Sequence, residues 1–265
     1  MAESFLYSGL KDDQSLISEF DMTHVARTES AFCDNLFRDD VERIKQALED
    51  QDNLGPVTRI GDWIYNFYRS PDHPRGVWRR QPDGQAVSAN GHWQTVFDLD
   101  SFCENDGEEW DWRGVDPLWS EPNRVLIALS QKGSDSFRHL EWDCSSGKAV
   151  PGGFDTKPAR SNATWLDPDT ILLATTDLME GATRSGWPRV VVKLERGMEP
   201  REAPVFCEAD YHDVRTYAYT YPQRDGSRGL AMVRYSEARD ETIELRRNVG
   251  VQVLASPARA FSHHN

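Results

Sequence analysis

The sequence has no long apolar run and a shortage of basic residues, and both absences exclude classes of function. No apolar stretch approaches the ~20 residues that a transmembrane helix needs, so we expect no membrane partner. The N-terminal segment MAESFLYSGLKDDQ lacks the basic start and apolar core of a signal peptide. Lys and Arg number 30 against 44 Asp and Glu, which gives a net charge of −14. Because nucleic-acid binding needs a basic face, we also expect no nucleic-acid partner.

Cysteine is also scarce, and its spacing argues against a metal centre. The four cysteines are scattered, with no C-x-x-C pair and no histidine at ligand spacing: Cys33, Cys103, Cys144 and Cys207. We therefore expect no structural zinc and no other cofactor. Reduced thiols in a chain without a signal peptide indicate a cytoplasmic protein.

Aromatic residues, by contrast, are plentiful. They make up 11% of the 265 residues and include nine tryptophans. This content argues against disorder although the hydrophobic share is only 38%, and a chain of this length can bury a core. A polar, turn-rich sequence with this much tryptophan favours an all-β fold.

One amphipathic helix is predicted, over residues 34–50. Its apolar side chains recur at spacings of four, three and four and so share one face: Phe37, Val41, Ile44 and Leu48. Asp34 can cap its start, and Gly55 and Pro56 follow its last turn. We interpret it as a surface helix and expect no other helix in the chain.

From residue 56 onward, short apolar or alternating runs between turn residues predict strands. The runs are RIGDWIYNFYR, NRVLIALS, FRHLEWD, TILLATT, RVVVKLE, VRTYAYTY and GLAMVRYS. In residues 61–80, aromatic residues lie on both faces of one strand, Pro71 to Pro74 form a turn, and Arg75 to Arg80 return as the hairpin partner. Core packing explains these aromatic residues, and the alternative is an aromatic cluster that binds a ligand.

The strands repeat along the chain. Trp119 lies six residues before Val125, Trp165 lies six before Ile171, and 46 residues separate the two pairs. A further 46 residues lead to Tyr217, within another predicted strand. A period of roughly 40–50 residues with several strands per repeat is typical of β-propeller blades. The sequence therefore predicts about four blades.

Many ordered strings in the same region resemble one family. They are YNFYRSPDHPRGVWRR, WQTVFDLD, EEWDWRG, RVLIALSQKGSD, FRHLEWD, SNATWLDPDTILLATTD and TRSGWPRVVVKLERG. Between about residues 55 and 235 the chain resembles the N-terminal propeller of the prolyl oligopeptidase family of serine peptidases. The resemblance implies an N-terminal helical segment, a seven-bladed propeller that admits only short peptides, and an α/β-hydrolase domain with catalytic Ser, Asp and His.

The chain also departs from that family. No G-x-S-x-G elbow is present, because the serines of KGSDS and DCSSGK lack the required second glycine. We therefore expect a truncated form with a helical segment at 1–54, a partial propeller at 55–247 and a poorly ordered tail at 248–265. It would be a non-catalytic, substrate-gating portion of a peptidase, and its partners would be short peptides and missing blades or a hydrolase domain on another chain. The alternative is a stand-alone propeller that binds a protein or ligand.

Other groups of residues carry side chains that could act in catalysis or binding, but none is predicted to be catalytic, cofactor-binding or metal-binding. Acidic residues between Glu104 and Asp111, beside Trp110 and Trp112, resemble a sugar-cleaving site, but their alternation favours an acidic loop followed by a strand. Asp98 and Asp100 are expected to end a strand and start a turn rather than to bind a metal. The remaining candidates are histidines in turns, at strand ends or in the tail: His73, His139, His212, His263 and His264.

Overall fold

A computed structural model of the protein describes residues 14–48, 54–223, 228–236 and 241–246. Its contacts divide the chain into two compact units, Met1–Asn53 and Leu54–Asn265. The predicted tail at 248–265, with His263 and His264, lies outside the described residues.

The first unit contains two helices, α1 (Gln14–Phe32) and α2 (Asn35–Leu48). Helix α2 confirms the predicted helix, and the Asp34 carboxylate accepts a hydrogen bond from the Phe37 N–H at 2.8 Å, as expected of an N-cap. The expectation of a single helix was wrong. The apolar residues of α1, such as Phe20 and Met22, do not share one face, so the sequence contained no periodic signal for this helix.

The second unit consists of antiparallel sheets formed by consecutive strands. Each sheet is called a blade here. Blade 1 contains β1 (Val57–Ile60), β2 (Trp63–Ser70), β3 (His73–Pro82) and β4 (Gln94–Asp98). Blade 2 contains β5 (Trp110–Pro117), β6 (Arg124–Gln131), β7 (Phe137–Asp143) and β8 (Lys148–Ala149). Blade 3 contains β9 (Ser161–Asp167), β10 (Thr170–Thr175), β11 (Val190–Glu195) and β12 (Val205–Glu208). The described part of blade 4 contains β13 (Arg215–Pro222), β14 (Arg228–Tyr235) and β15 (Glu241–Arg246).

Neighbouring blades pack face to face because strand residues alternate between two buried faces. On β6, Ile127 packs into a cluster with blade 1, and its neighbour Leu126 packs into a cluster with blade 3. On β10, Leu173 faces blade 2, and Leu172 faces blade 4. A strand buried on both faces reads as a continuous apolar run, which is why NRVLIALS and TILLATT were readily predicted.

The first strands of the blades meet along a common edge. Strand β9 contacts both β5 and β13, and the strand order of each described blade runs outward from its first strand. This edge, which we call the inner edge, corresponds to the axis side of a propeller. The prediction of a partial β-propeller with a helical N-terminal segment is confirmed.

The 46-residue period holds for only one step. Val125 and Ile171 are equivalent, since both lie on second strands, but Trp119 lies in the turn between β5 and β6 with 47% of its surface exposed. Trp165 instead lies on β9 and is 1% exposed. Tyr217 lies on the first strand of blade 4 rather than the second. The long connections on either side of β11 lengthen blade 3, and therefore the period fails there.

Two local predictions also need correction. The turn between β2 and β3 contains only Pro71 and Asp72, because β3 already begins at His73. A third helix, α3 (Leu99–Asp106), replaces the expected turn and acidic loop. Asp98 caps its start by accepting the Ser101 N–H at 3.1 Å.

Candidate functional site at the inner edge

A histidine of blade 2 and a serine of blade 3 meet where strands β7 and β9 lie next to each other. The Nε2 of His139 lies 3.0 Å from the Oγ of Ser161, and both side chains are buried. The serine hydroxyl donates to a carbonyl, either Phe137 O at 3.2 Å or Ala159 O at 3.1 Å. Burial lowers the pKa of His139 to about 4. The pair links two strands and does not activate a nucleophile.

Cys144 offers no activated thiolate either. None of the four cysteines, all of which lie in the described residues, forms a disulfide. Burial raises the pKa of the Cys144 thiol to about 11, whereas a nucleophilic cysteine needs a lowered pKa. Cys144 therefore contributes to packing between blades 1 and 2.

The acidic residues that resembled a sugar-cleaving site do not converge on one point. Glu104 lies on α3, and three other carboxylates contact separate partners: Asp106 with Arg138 at 2.9 Å, Glu109 with Arg75 at 2.9 Å, and Glu108 with Gln131 at 2.7 Å. Glycoside cleavage needs two carboxylates facing one bond. The arrangement instead fastens α3 and β5 to neighbouring strands.

His73, Asp98 and Asp100 lie close enough for their ligand atoms to fall within 4.8 Å of one another. Both carboxylates, however, already accept backbone hydrogen bonds. Asp98 caps α3, and Asp100 accepts the Arg75 N–H at 3.1 Å and the Gly76 N–H at 3.2 Å. The three residues connect β3 to α3. His212 lies exposed between β12 and β13, where its N–H donates to Asp210.

A polar cluster at the inner edge joins blades 2, 3 and 4, and no pattern in the sequence indicated it. The Asp116 carboxylate accepts the Trp165 N–H at 3.2 Å, and the Asp116 carbonyl accepts the indole N–H at 2.9 Å. Burial raises the pKa of Asp116, against opposing effects of Thr164, Trp165 and Arg228. The hydroxyl oxygens of Thr164 and Thr220 lie 3.5 Å apart. The Thr220 hydroxyl also accepts a hydrogen bond from the Arg228 guanidinium at 3.2 Å. These contacts hold the first strands in register.

Between β1 and β5, the inner edge opens into a cleft of about 510 Å³, which we call the aromatic cleft. Six apolar residues of blades 1 and 2 line it: Ile60, Phe67, Trp78, Trp112, Val115 and Pro117. The Trp112 ring stacks on Phe67 at 4.7 Å and lies 5.6 Å from Trp78. The aromatic residues of segment 61–80 thus pack the core and also line a cleft.

A β-bulge on β5 shapes this cleft. The register of β5 against β6 shifts between Trp112 and Gly114. Gly114 has φ +129°, a conformation that L side chains rarely adopt, and no heavy atom lies within 4 Å of the position of a Cβ. Glycine at a bulge is typical of places where another group approaches the backbone closely.

No helix among the described residues is long and apolar enough to span a membrane.

The fold and sequence match known peptidases over part of their length. An uncharacterized peptidase of Rickettsia prowazekii (strain Madrid E) is 27% identical over 190 residues, which cover 67% of this chain and 26% of that protein. A post-proline cleaving enzyme from Rickettsia typhi superposes with a TM-score of 0.70 at 21% identity, over 86% of this chain and 36% of that one. Oligopeptidase B from Leishmania major superposes with a TM-score of 0.64 at 16% identity. The superposition covers 88% of this chain and 31% of that one.

The family model described as "Prolyl oligopeptidase, N-terminal beta-propeller domain" matches residues 17–191. This match begins within α1, earlier than the resemblance noted in the sequence, and ends in blade 3. Together with the blade packing and the solved relatives, it shows that the chain belongs to the prolyl oligopeptidase family, through its N-terminal β-propeller domain.

Proposed function

We propose that this chain is the non-catalytic, substrate-gating propeller portion of a prolyl oligopeptidase-like serine endopeptidase. The observation that carries the proposal is partial coverage: the chain matches the propeller model but only 36% of the Rickettsia typhi enzyme. The proposal divides the chain into a helical segment at 1–54, a propeller portion at 55–247 and a tail at 248–265. Catalysis then requires a hydrolase domain from outside these residues.

The geometry of the first strands supports the proposed gating role. Their contacts along the inner edge, fixed by the cluster around Asp116, give this side of the blades a stable lining. A narrow opening lined by strands admits an extended peptide and excludes a folded protein by size. The propeller therefore selects short peptides before they reach the nucleophile of the hydrolase domain.

One observation favours the alternative of a stand-alone binding module. The face of blade 1 turned away from blade 2 is covered by its own chain. Arg79 lies between the rings of Tyr68 at 3.8 Å and Trp93 at 4.6 Å, and Asn66 donates to the Pro56 carbonyl at 3.2 Å. Gln81 donates to a carbonyl of the connection between β3 and β4. A face covered in this way needs no further blade, as in a capped repeat array.

The test compares this chain alone with the chain co-expressed with the hydrolase domain of the Rickettsia typhi enzyme. Alone, it should neither cleave a proline-containing chromogenic peptide nor react with a fluorophosphonate, since acyl transfer needs an activated nucleophile and an oxyanion hole. With the hydrolase domain, it should co-purify and restrict cleavage to short peptides. Cleavage by the chain alone would contradict the proposal, and failure to co-purify would favour the stand-alone module.

The proposal also places the protein in the cytoplasm. The support is that none of the four cysteines, all of them in the described residues, forms a disulfide, because exported proteins commonly contain disulfides. Fractionation of cells that express the chain with a C-terminal tag tests this location.

A further inference from the structure

The aromatic cleft has the dimensions and lining of a binding site. Its volume of about 510 Å³ lies within the range of roughly 300–1,000 Å³ that is common for ligand pockets. Thr58 and Ile60 of β1 line one side, Trp112 and Val115 of β5 line the other, and Phe67 lies between them. An apolar group inside it would contact aromatic rings on more than one side.

Free strand edges flank this cleft. In the described sheets, β1 pairs only with β2, and β5 pairs only with β6, so each strand has one edge without a neighbouring strand. Strand edges bind extended peptides through backbone hydrogen bonds, while pockets beside them accept alternate side chains. An aromatic cleft between two edges combines both elements of peptide recognition.

The bulge of β5 provides room for a backbone. If Gly114 carried a Cβ atom, no heavy atom of another part of the chain would lie within 4 Å of it. A peptide backbone can therefore approach β5 more closely there than at a residue with a side chain. Gly114 is itself one of the residues that line the cleft.

The charges at the rim favour a neutral occupant. Arg59 lines the cleft but forms an ion pair with Asp83 at 2.9 Å, and its Nε also lies 3.3 Å from the Gly61 carbonyl. The remaining lining residues carry no formal charge. A charged side chain would lose hydration without gaining a partner, whereas an aliphatic one would lose nothing.

We propose that the aromatic cleft between β1 and β5 binds an aliphatic side chain of an extended peptide, with the peptide backbone along a free strand edge. This inference deepens the proposed gating function and rests on it. The cleft would hold a peptide at the inner edge before cleavage and prefer segments with an exposed aliphatic residue.

The test is an NMR titration of the full chain with two peptides. The probe is acetyl-Thr-Thr-Leu-Thr-Thr-amide, and the control peptide replaces its leucine with asparagine, which is similar in size but polar. We expect the leucine peptide to bind at least about tenfold more tightly, because polar groups are costly in an apolar pocket. Indole N–H signals should shift, since Trp78 and Trp112 line the cleft.

Matched variants locate the site. Thr58 and Val57 are adjacent, exposed residues of β1, and Thr58 lines the cleft whereas Val57 is not among its lining residues. Thr58→Tyr should fill the cleft and weaken binding of the leucine peptide by at least about tenfold, while Val57→Tyr should leave it unchanged. Thr58→Glu, which adds a charge at the same exposed position, should also weaken binding.

The outcomes separate the two proposals. Absent binding, equal binding of both peptides, or unchanged binding by the Thr58 variants would overturn the cleft assignment. Co-purification with the hydrolase domain could still succeed in those cases, and the gating proposal would then stand without this site. Conversely, binding by the cleft without co-purification would retain the site and contradict the proposed peptidase role.

Discussion

Glu141 has no exposed surface, yet its carboxylate is ionised between two arginines. It accepts from Arg124 at 2.5 Å and from Arg196 at 2.8 Å, and the Phe154 N–H donates to it at 2.9 Å. Burial alone would raise the pKa of Glu141, but these hydrogen bonds hold it below its ordinary value. Because Arg124 belongs to blade 2 and Arg196 follows β11 of blade 3, the carboxylate ties two blades together.

Glu141→Gln should therefore destabilise the protein by about 3–5 kcal/mol, since it leaves two arginines without their buried anion. The control is Glu121→Gln, which removes the charge of a half-exposed partner of the same Arg124. It should lower the free energy of unfolding by no more than about 1 kcal/mol. Urea unfolding midpoints measure both. Equal losses would show that burial does not distinguish the two contacts.

His139 predicts a dependence of stability on pH. Its pKa is about 4 in the fold against 6.5 for an ordinary histidine, because the buried imidazole resists protonation. The contribution of the neutral His139 to the free energy of unfolding is complete above pH 6.5. It is lost as pH falls toward 4, because the unfolded chain takes up a proton at a higher pH than the folded chain does. The total loss is about 3 kcal/mol.

The His139→Gln variant should show a flatter decline in unfolding free energy between pH 6.5 and 4 than the unsubstituted protein. Ser161→Ala is the control, because it removes the hydrogen-bond partner but keeps the buried imidazole, and its decline should stay steep. Chemical unfolding at several pH values gives both slopes. A decline that is unchanged in His139→Gln would assign the acid sensitivity to other groups.

At the scale of the elements, two tryptophans that appeared equivalent in the sequence have different structural roles. Trp165 is buried on β9 and contacts Phe154 at 5.7 Å, whereas Trp119 lies half exposed in a turn. Trp165→Ala should lower the free energy of unfolding by about 3–5 kcal/mol, because it leaves a cavity. Trp119→Ala should lower the free energy of unfolding by at most about 0.5 kcal/mol, as is usual for surface substitutions. Thermal melts decide between this assignment and the 46-residue repeat, which would predict similar losses.

At the scale of the whole molecule, the two end faces of the blade stack differ. The outer face of blade 1 is centred on Asn66 and Arg79 and is covered by its own chain. On β13 of blade 4, Tyr219 and Tyr221 alternate with Ala218, which packs toward blade 3. Tyr219 is 37% exposed.

The chain alone should therefore self-associate through blade 4. Analytical ultracentrifugation should show association that increases with concentration, because covering tyrosine surface stabilises the associated form by roughly 25 cal/mol per Å². Tyr219→Lys should weaken association, while Tyr211→Lys, at an exposed position between β12 and β13, should not. A compact monomer with a sharp, high-temperature transition would contradict this expectation and favour a self-sufficient module.

The sequence alone determined the features that depend on residues near each other in the chain. Continuous apolar runs around Leu126 and Leu172 predicted strands, and Asp34 predicted the start of α2. Only the tertiary structure revealed the contacts of Glu141 with Arg196, of His139 with Ser161, and of Thr58 with the cleft beside Trp112. The physical reason is range: strand and cap signals are local, whereas these sites form only when separate strands and blades pack against one another and fix distant residues in contact.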